Sequence, residues 1–445
     1  MSERLFGTDG VRGVAGVYPL DPPTVARLGA AIVRALKFTR PVRIIVGRDT
    51  RESGEWIERE LARGAVSQGA TVTSTGVIPT PAVAYLAREK DFDLGVVLSA
   101  SHNPYGDNGI KVFSGKGEKF AESQERAVEA VMADHGWSLG SAKDATVESV
   151  DFRDPYLNHV RELLPNAGAL KGQRIALDLA NGATTTTARR LFESVGFEVV
   201  TVGDTPDGRN INLACGSTHP AGLAAAVMSQ QCKLGVAFDG DGDRAILVDH
   251  RGHLVDGDAV LLTIGADLKQ QGKLPGNTVV ATVMSNIGLE VALREHGITM
   301  VRTPVGDKYV MEEMLRHGYA IGGEQSGHVI LSEHLWTGDG MATALAVLRV
   351  MVRTGRDLAD LASGLKTFPQ TLVNVRVREK KPVADVPAIA EATARVAAAL
   401  GSRGRVLVRY SGTEPLLRIM IEGEDQASVQ AWAEEIAEAV RATLA

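Results

Sequence analysis

A unit of strand, amphipathic segment, glycine and second strand occurs three times along the chain, and it constrains the fold more than any other feature. The first copy runs from "VRIIVGRDT" through "EWIERELARGAVSQ" to Gly69 and then "ATVTSTG". A second runs from "QRIALDLANGA" through "TTTTARRLFESV" to Gly196 and "FEVVTVGDTPDG". The third runs from "NTVVATVMSN" through "IGLEVALREH" to Gly297 and "ITMVRTPVG". In each, a β-branched run reads as a strand, the amphipathic segment as a helix, and the glycine as a left-handed helix cap, which together make a βαβ unit. Each copy is later followed by one more strand and a polar loop, "LGVVLSASHNP", "LGVAFDGDGDR" and "YAIGGEQSGH". Three related α/β domains are expected, with loops at corresponding strand ends, where such sheets usually place ligands.

The last stretch departs from the plan. "TLVNVRVRE", the Ala-rich "VPAIAEATARVAAAL", the strand-like "RVLVRY" and "LLRIMIEG", and a closing helix from about Ser428 read as a smaller α+β domain. At 445 residues the chain is too long for one core,. The domains are expected at 1–153, 154–254, 255–367 and 368–445, carrying in turn a serine loop, an aspartate loop, the "GGEQSGH" loop and the "RYSGTEPLLR" loop.

Composition narrows the partners. A formal charge of -6 argues against a nucleic-acid or anionic-membrane surface, while leaving room for a local basic pocket and a small anionic ligand,. Two cysteines, Cys215 and Cys232, are too few for a disulfide framework, and "MSERLFGTDG" has no apolar leader core, so a reducing cytoplasm is expected,. The apolar run "MATALAVLRVMV" at 341–352 is short and contains Arg349, which reads as a buried helix and not a membrane span,.

The polar loops carry the chemistry. In "FDGDGDR", Asp239, Asp241 and Asp243 alternate with Gly240 and Gly242, so three carboxylates project together,. Such crowding calls for a hard cation with oxygen ligands, and Mg²⁺ suits three carboxylates plus a phosphate oxygen. A solvated acidic hairpin is the other reading. A calcium hand is excluded, because its sixth and twelfth positions would be Arg244 and His250 where Gly and Glu are needed,.

In "SASHNPYGDNGIK", Ser101 has neither a Gly-x-Ser-x-Gly elbow nor a base beyond the adjacent His102, and adjacent side chains rarely reach one another well,. It can serve as a phosphate-carrying nucleophile or as a capping Ser in an Asn-Pro turn. Lys111 just beyond supplies a cation able to act on phosphate or exchange a proton. "RYSGTEPLLR" sets Arg409, Ser411, Gly412, Thr413 and Arg418 between two strands, as a phosphate monoester needs or as a decorated hairpin would,. "GGEQSGH" offers Glu324, Ser326 and His328 on a turn suited to sugar hydroxyls or an amine, and "FGTDGVRG" places Arg12 among glycines, as a ligand or a surface charge.

Taken together, "LFGTDGVRG", "SASHNPYGDNGIK", "NINLACGSTHP", "FDGDGDR", "GGEQSGH" and "RYSGTEPLLR" resemble the α-D-phosphohexomutase family nearly end to end, most closely its branch acting on glucosamine phosphates. The resemblance implies three related domains and a fourth around a central cleft. It implies a phosphorylated Ser101, with Ser101, Asp239, Asp241 and Asp243 around one Mg²⁺ per subunit. Glu324 and Ser326 then meet the sugar, and Arg409, Ser411, Gly412, Thr413 and Arg418 the phosphate that does not react, with Arg244 and Lys308 completing the substrate set. Arg12, Lys111 and Arg244 would stabilise charge, and Lys111 and His328 are the candidates for proton transfer.

The implied reaction interconverts glucosamine 6-phosphate and glucosamine 1-phosphate through glucosamine 1,6-bisphosphate, supplying UDP-N-acetylglucosamine and peptidoglycan precursors. Gln325 would set the sugar preference, since relatives acting on glucose or mannose phosphates, the alternative reading, typically carry Met there. Members of the family often form homodimers.

Overall fold

The computed structural model describes residues 4–36, 40–139, 146–411 and 415–445. Each repeat builds a sheet on one plan. In the first, Arg43–Arg48 pairs in parallel with both Thr71–Val77 and Leu94–Leu98, and Leu94–Leu98 pairs antiparallel with Asp107–Ser114. In the second, Arg174–Asp178 lies parallel to Glu198–Val202 and Leu234–Phe238, and Ala245–Asp249 runs antiparallel to the latter. In the third, Thr278–Thr282 stands next to Thr299–Thr303 and pairs in parallel with Ile321–Gly323, which pairs antiparallel with Val329–Leu331. The polar loops therefore occupy one topological slot, between the third strand of the repeat and the antiparallel strand that follows.

The physical basis is visible in the strands. "LGVVL" and "LGVAF" are buried at every position, as parallel strands covered on both faces must be,. Gly69, Gly196 and Gly297 have φ of 82°, 109° and 66°, the left-handed values expected of them,. The first sheet gains Val11–Val14 beside Asp107–Ser114 and Glu148–Ser149 beside Thr71–Val77. The run at 341–352 lies in the helix Gly340–Thr354, buried over most of its length and capped by Asp339, whose Oδ1 accepts from Ala342 N at 3.0 Å. Among the described residues no helix is long and apolar enough to cross a membrane.

The chain divides into two compact units, one of residues 1–284 and 300–363, the other of residues 285–299 and 364–445. The second unit has a three-stranded antiparallel sheet in the order Gln370–Arg376, Leu416–Glu422, Arg405–Tyr410, backed by the helices Pro387–Leu400 and Gln426–Leu444. Ile389, Val396, Ile419, Ile421, Ile436 and Val440 form its core. The closing helix starts two residues ahead of the expected Ser428, because Asp425 caps it by accepting from Ser428 N at 2.8 Å.

This unit also contains Ile287–Glu295, the helix of the third repeat. Buried Glu422 accepts from Ile287 N at 3.2 Å, and Asn286 exchanges two 3.0 Å hydrogen bonds with the backbone of Phe368. Asn286 itself caps the helix by accepting from Gly288 N at 2.9 Å, and the C-terminal segment supplies the partners of the cap and of Ile287 N.

Candidate active site

The aspartate loop turns on its own backbone, Gly242 N donating to Asp239 O at 3.1 Å. The turn gathers Asp239, Asp241 and Asp243 so that one carboxylate oxygen from each lies within 4.8 Å of the others, all three residues being buried. Gly240 is required by close approach, since a Cβ there would stand 2.6 Å from the carbonyl oxygen of Ser101. The loops of the first two repeats therefore pack backbone against backbone, and Ser101 Oγ donates to Asp239 Oδ2 at 2.5 Å.

The other carboxylates are held by the first domain. Asp241 Oδ2 accepts from Thr80 Oγ1 at 2.5 Å and Lys111 Nζ at 2.7 Å, and Lys111 Nζ is 3.2 Å from Asp243 Oδ2. One oxygen of each remains: Asp241 Oδ1 is buried with no hydrogen-bond partner, and Asp243 Oδ1 has His328 Nδ1 at 3.6 Å and Arg244 Nε at 3.8 Å. Buried carboxylate oxygens without hydrogen bonds are costly, and these two, gathered with Asp239, whose Oδ1 accepts from Arg244 N at 3.2 Å, fit a hard divalent cation,.

Electrostatics follow from the crowding. Burial, and then the charges of Asp243 and Asp241, push Asp239 well above the usual carboxylate range,. Burial works the same way on Asp243, but the Lys111 ammonium and His328 overcome it and hold that carboxyl well below the range. For Lys111, desolvation is outweighed by Asp241, Asp243 and Asp9, which keep it a cation. Arg12 reaches this group because Val11–Val14 pairs with Asp107–Ser114, placing Arg12 opposite Gly109 and next to Lys111 in the sheet. It pairs with Asp9, which Lys119 also holds.

The serine loop has its own supports. Ser101 adopts a φ of 54°, a left-handed conformation that costs a non-glycine residue about 1–2 kcal/mol,. His102 Nδ1 lies 3.3 Å from Ser101 Oγ, so the adjacent side chains reach each other better than expected; the left-handed backbone at Ser101 brings them together. Burial, and then the Arg244 and Arg12 guanidiniums, pull His102 down to about 4, leaving it neutral at neutral pH.

Other site candidates fall in varied positions. His328 is buried, with Gly338 N 3.0 Å and Asp307 Oδ2 3.2 Å from Nε2, and with Nδ1 facing Asp243 Oδ1 at 3.6 Å. Burial opposes its imidazolium, but Asp307 and Asp243 raise it above the ordinary histidine value. Glu324 Oε1 accepts from Gly306 N at 3.2 Å, and Ser326 is exposed. Gln325 Nε2 donates to Asp256 Oδ2 at 3.1 Å, so its amide is engaged with the cap of the helix Gly257–Gln270. Lys308 is buried and paired with Glu125 at 2.8 Å; it lines a small pocket with Lys111 and Asp9.

In the C-terminal unit, Arg409 and Arg418 stand directly opposite in adjacent antiparallel strands, and Arg418 donates to Ser411 Oγ at 3.3 Å. Like charges so placed disfavour the sheet, as an anion site would require. Lys380 joins them by donating to Ser411 O at 2.7 Å. Gly412 and Thr413 lie outside the described residues.

Asp9 and Asn212 stand in "LFGTDGVRG" and "NINLACGSTHP" without a role assigned from the sequence, and Asp49, Arg51, Thr80 and Lys119 likewise have none. The pair Asp49 and Arg51, placed directly after a buried strand in "VGRDTR", was the available signal.

A buried three-carboxylate centre set against a serine hydroxyl, on a thrice-repeated α/β scaffold with a smaller C-terminal domain, defines the class. Four segments match the domains of one family: "Phosphoglucomutase/phosphomannomutase, alpha/beta/alpha domain I" over residues 3–137, domain II over 154–252, domain III over 256–368, and "C-terminal domain" over 372–439. The chain belongs to this phosphoglucomutase/phosphomannomutase family. It is 51% identical over 446 residues to a phosphoglucosamine mutase of Solibacter usitatus (strain Ellin6076), covering 99% of each chain. It is 46% identical over 446 residues to a phosphoglucosamine mutase of Syntrophotalea carbinolica (strain DSM 2380 / NBRC 103641 / GraBd1), covering 99% of this chain and 98% of the relative. A crystal structure of a phosphoglucomutase/phosphomannomutase family protein from Burkholderia thailandensis shares the fold, with a TM-score of 0.80 at 24% identity over 99% of this chain and 98% of the other.

Proposed function

We propose that the chain interconverts glucosamine 6-phosphate and glucosamine 1-phosphate by way of a phosphorylated Ser101. The observation that carries this reading is the Ser101 hydroxyl seated on Asp239 of a carboxylate triad in which Asp241 Oδ1 and Asp243 Oδ1 lack hydrogen bonds. The relatives named above as phosphoglucosamine mutases support the choice of sugar.

In the first half-reaction the free hydroxyl of the sugar phosphate attacks phosphorus in line. The bond from phosphorus to Ser101 Oγ breaks, the sugar hydroxyl loses its proton, and Ser101 Oγ gains one. Glucosamine 1,6-bisphosphate then turns over and returns its other phosphoryl group to Ser101, releasing product. Such transfers depend on alignment and on charge neutralisation. Mg²⁺, held by Asp239, Asp241, Asp243 and the group on Ser101, would neutralise phosphoryl oxygens.

Among the chain's own residues, Arg12, Lys111 and Arg244 supply positive charge to the transferring group. Lys111, kept protonated by three carboxylates, acts first as an acid, whereas His328 faces Asp243 and holds it. Glu324 and Ser326 are assigned to the sugar. Arg409, Ser411 and Arg418 are assigned to the non-reacting phosphate, together with Gly412 and Thr413 of the same loop. Lys308, paired with Glu125, would have to exchange that partner to meet substrate.

Two measurements test the reading. Intact-protein mass spectrometry with peptide mapping is expected to find one phosphoryl group on Ser101. Purified protein with Mg²⁺ and the matching bisphosphate is expected to isomerise glucosamine 6-phosphate faster than glucose 1-phosphate. Inorganic phosphate released as fast as substrate disappears would make the chain a phosphatase instead.

A further inference from the structure

One fully buried cation has no part in the chemistry described so far. Arg51 is 1% exposed and lies between the strand Arg43–Arg48 and the helix Gly54–Val66. Its Nε donates to Asp49 Oδ2 at 2.9 Å. Its remaining donors go to the serine loop: to Ser101 O at 3.0 Å, Asn103 O at 2.8 Å, Asp107 O at 3.0 Å, and Pro104 O. Four carbonyl oxygens thus converge on one guanidinium.

The same pair also holds the loop by its amide. Ser99 Oγ donates to Asp49 Oδ2 at 2.6 Å and accepts from Ser101 N at 2.9 Å. From the second repeat, Asn212 Nδ2 reaches Ser101 O at 2.9 Å and Asn103 O at 3.1 Å. The loop has little packing of its own, since Pro104, Tyr105 and Gly106 are exposed, and Ser101 sits in a left-handed conformation its side chain disfavours,. Something outside the loop must therefore keep Ser101 Oγ aimed at Asp239. A planar group with five donors does this at once; an ammonium with three donors on a flexible stem cannot serve all these acceptors in the same geometry.

We propose that Arg51 is the positioning residue for phosphoryl transfer at Ser101, its guanidinium, oriented by Asp49 and assisted by Asn212, fixing the backbone that presents the reacting hydroxyl. This rests on the reading of Ser101 as the phosphorylated residue. In-line transfer depends on placement to within a fraction of an ångström, and Ser101 must return to one position after each of two transfers.

The test compares the full-length wild type with Arg51→Lys and Asn212→Ala, using glucosamine 6-phosphate with Mg²⁺ and bisphosphate, at a temperature where circular dichroism shows each protein folded. Arg51→Lys is expected to lower kcat by about 10²-fold with KM within twofold, as misplacement of a reacting atom does. Its ³¹P resonance from phosphoserine 101 is expected to broaden or split. Asn212→Ala, which removes two of the hydrogen bonds from another domain, is expected to show the same split at about tenfold. A folded Arg51→Lys with wild-type kcat, or with its loss confined to KM, overturns the proposal. If Arg51→Lys does not fold, wild-type kcat in Asn212→Ala overturns it. Wild-type protein turning over with no phosphoryl group on Ser101 overturns the reading of the serine itself, which is a separate result from a phosphorylated wild type with an unaffected Arg51→Lys.

Discussion

The serine loop and the aspartate loop fill the same slot in their repeats, after Leu94–Leu98 and after Leu234–Phe238, and they are stabilised differently. In the first, polar groups are saturated: the carbonyls of Ser101, Asn103, Pro104 and Asp107 all have donors, and Ser101 N has an acceptor. In the second, the backbone is satisfied by its own turn and by Thr80 N on Asp241 O at 2.8 Å, yet oxygens of Asp241 and Asp243 lack hydrogen bonds. Saturation would fix the hydroxyl proposed to react, while deficit suits the second loop to a cation. One topological slot thus accommodates both arrangements.

Removing the reacting atom should have the largest effect. Ser101→Ala is expected to lower turnover by roughly 10⁴-fold or more, because no other group takes its place, while circular dichroism and Tm stay near wild type. Residual activity close to wild type would dismiss Ser101 as the phosphate carrier.

Relieving the deficit comes next. Asp239→Asn is expected to reduce activity by about 10²-fold or more through loss of a metal ligand. In EDTA its Tm is expected to equal or exceed that of the wild type, because one of three crowded charges is gone. A lower Tm in EDTA would mean that the crowding is compensated in the wild type.

Pressing the two loops apart tests their contact. Gly240→Ala puts a Cβ 2.6 Å from the backbone oxygen of Ser101, with Ile211 Cδ1 at 2.8 Å and Asn212 Nδ2 at 2.9 Å. It is expected to destabilise by about 1–3 kcal/mol in denaturant unfolding and to lower kcat. Gly106→Ala, with nothing within 4 Å of its Cβ, is the matched control and should be close to neutral.

The smallest effect on turnover is expected in the C-terminal unit, where binding is tested. Arg418→Ala removes one of two opposed guanidiniums, so Tm should shift by no more than a few degrees, equivalent to about 1 kcal/mol. KM for the sugar phosphate should rise about 10- to 100-fold with the loss of a charge-assisted phosphate contact. An unchanged KM would remove Arg418 from the phosphate site.

Much of this was legible in the chain itself. The repeat was readable because strand, helix and glycine cap are local signals, and Asp239, Asp241 and Asp243 because their alternation with glycine is local too. Ser101 and Lys111 stood in one run. The supports were not legible: Thr80 meets Asp241, Arg51 meets Ser101 and Asn212 meets Asn103 across long sequence separations, and each is a single polar residue with no local pattern to give it a role, Thr80 opening a helix and Asn212 lying within "NINLACGSTHP". Periodicity carries no information about which distant carbonyl a buried guanidinium will find. Gln325 illustrates the complementary limit, since its position in "GEQSGH" gave no sign that its amide would be engaged with Asp256.

The helix Ile287–Glu295 has a consequence for how this protein can be divided. The chain crosses between its two compact units after residues 284, 299 and 363, so the C-terminal unit is not a bead at the end of a string. A gene truncated before residue 368 would leave Asn286 and Ile287 N without Phe368 and Glu422, and would strand a helix whose cap is held in place from downstream. A cut between the third repeat and the C-terminal domain therefore severs one compact unit, because the helix of that repeat belongs to it.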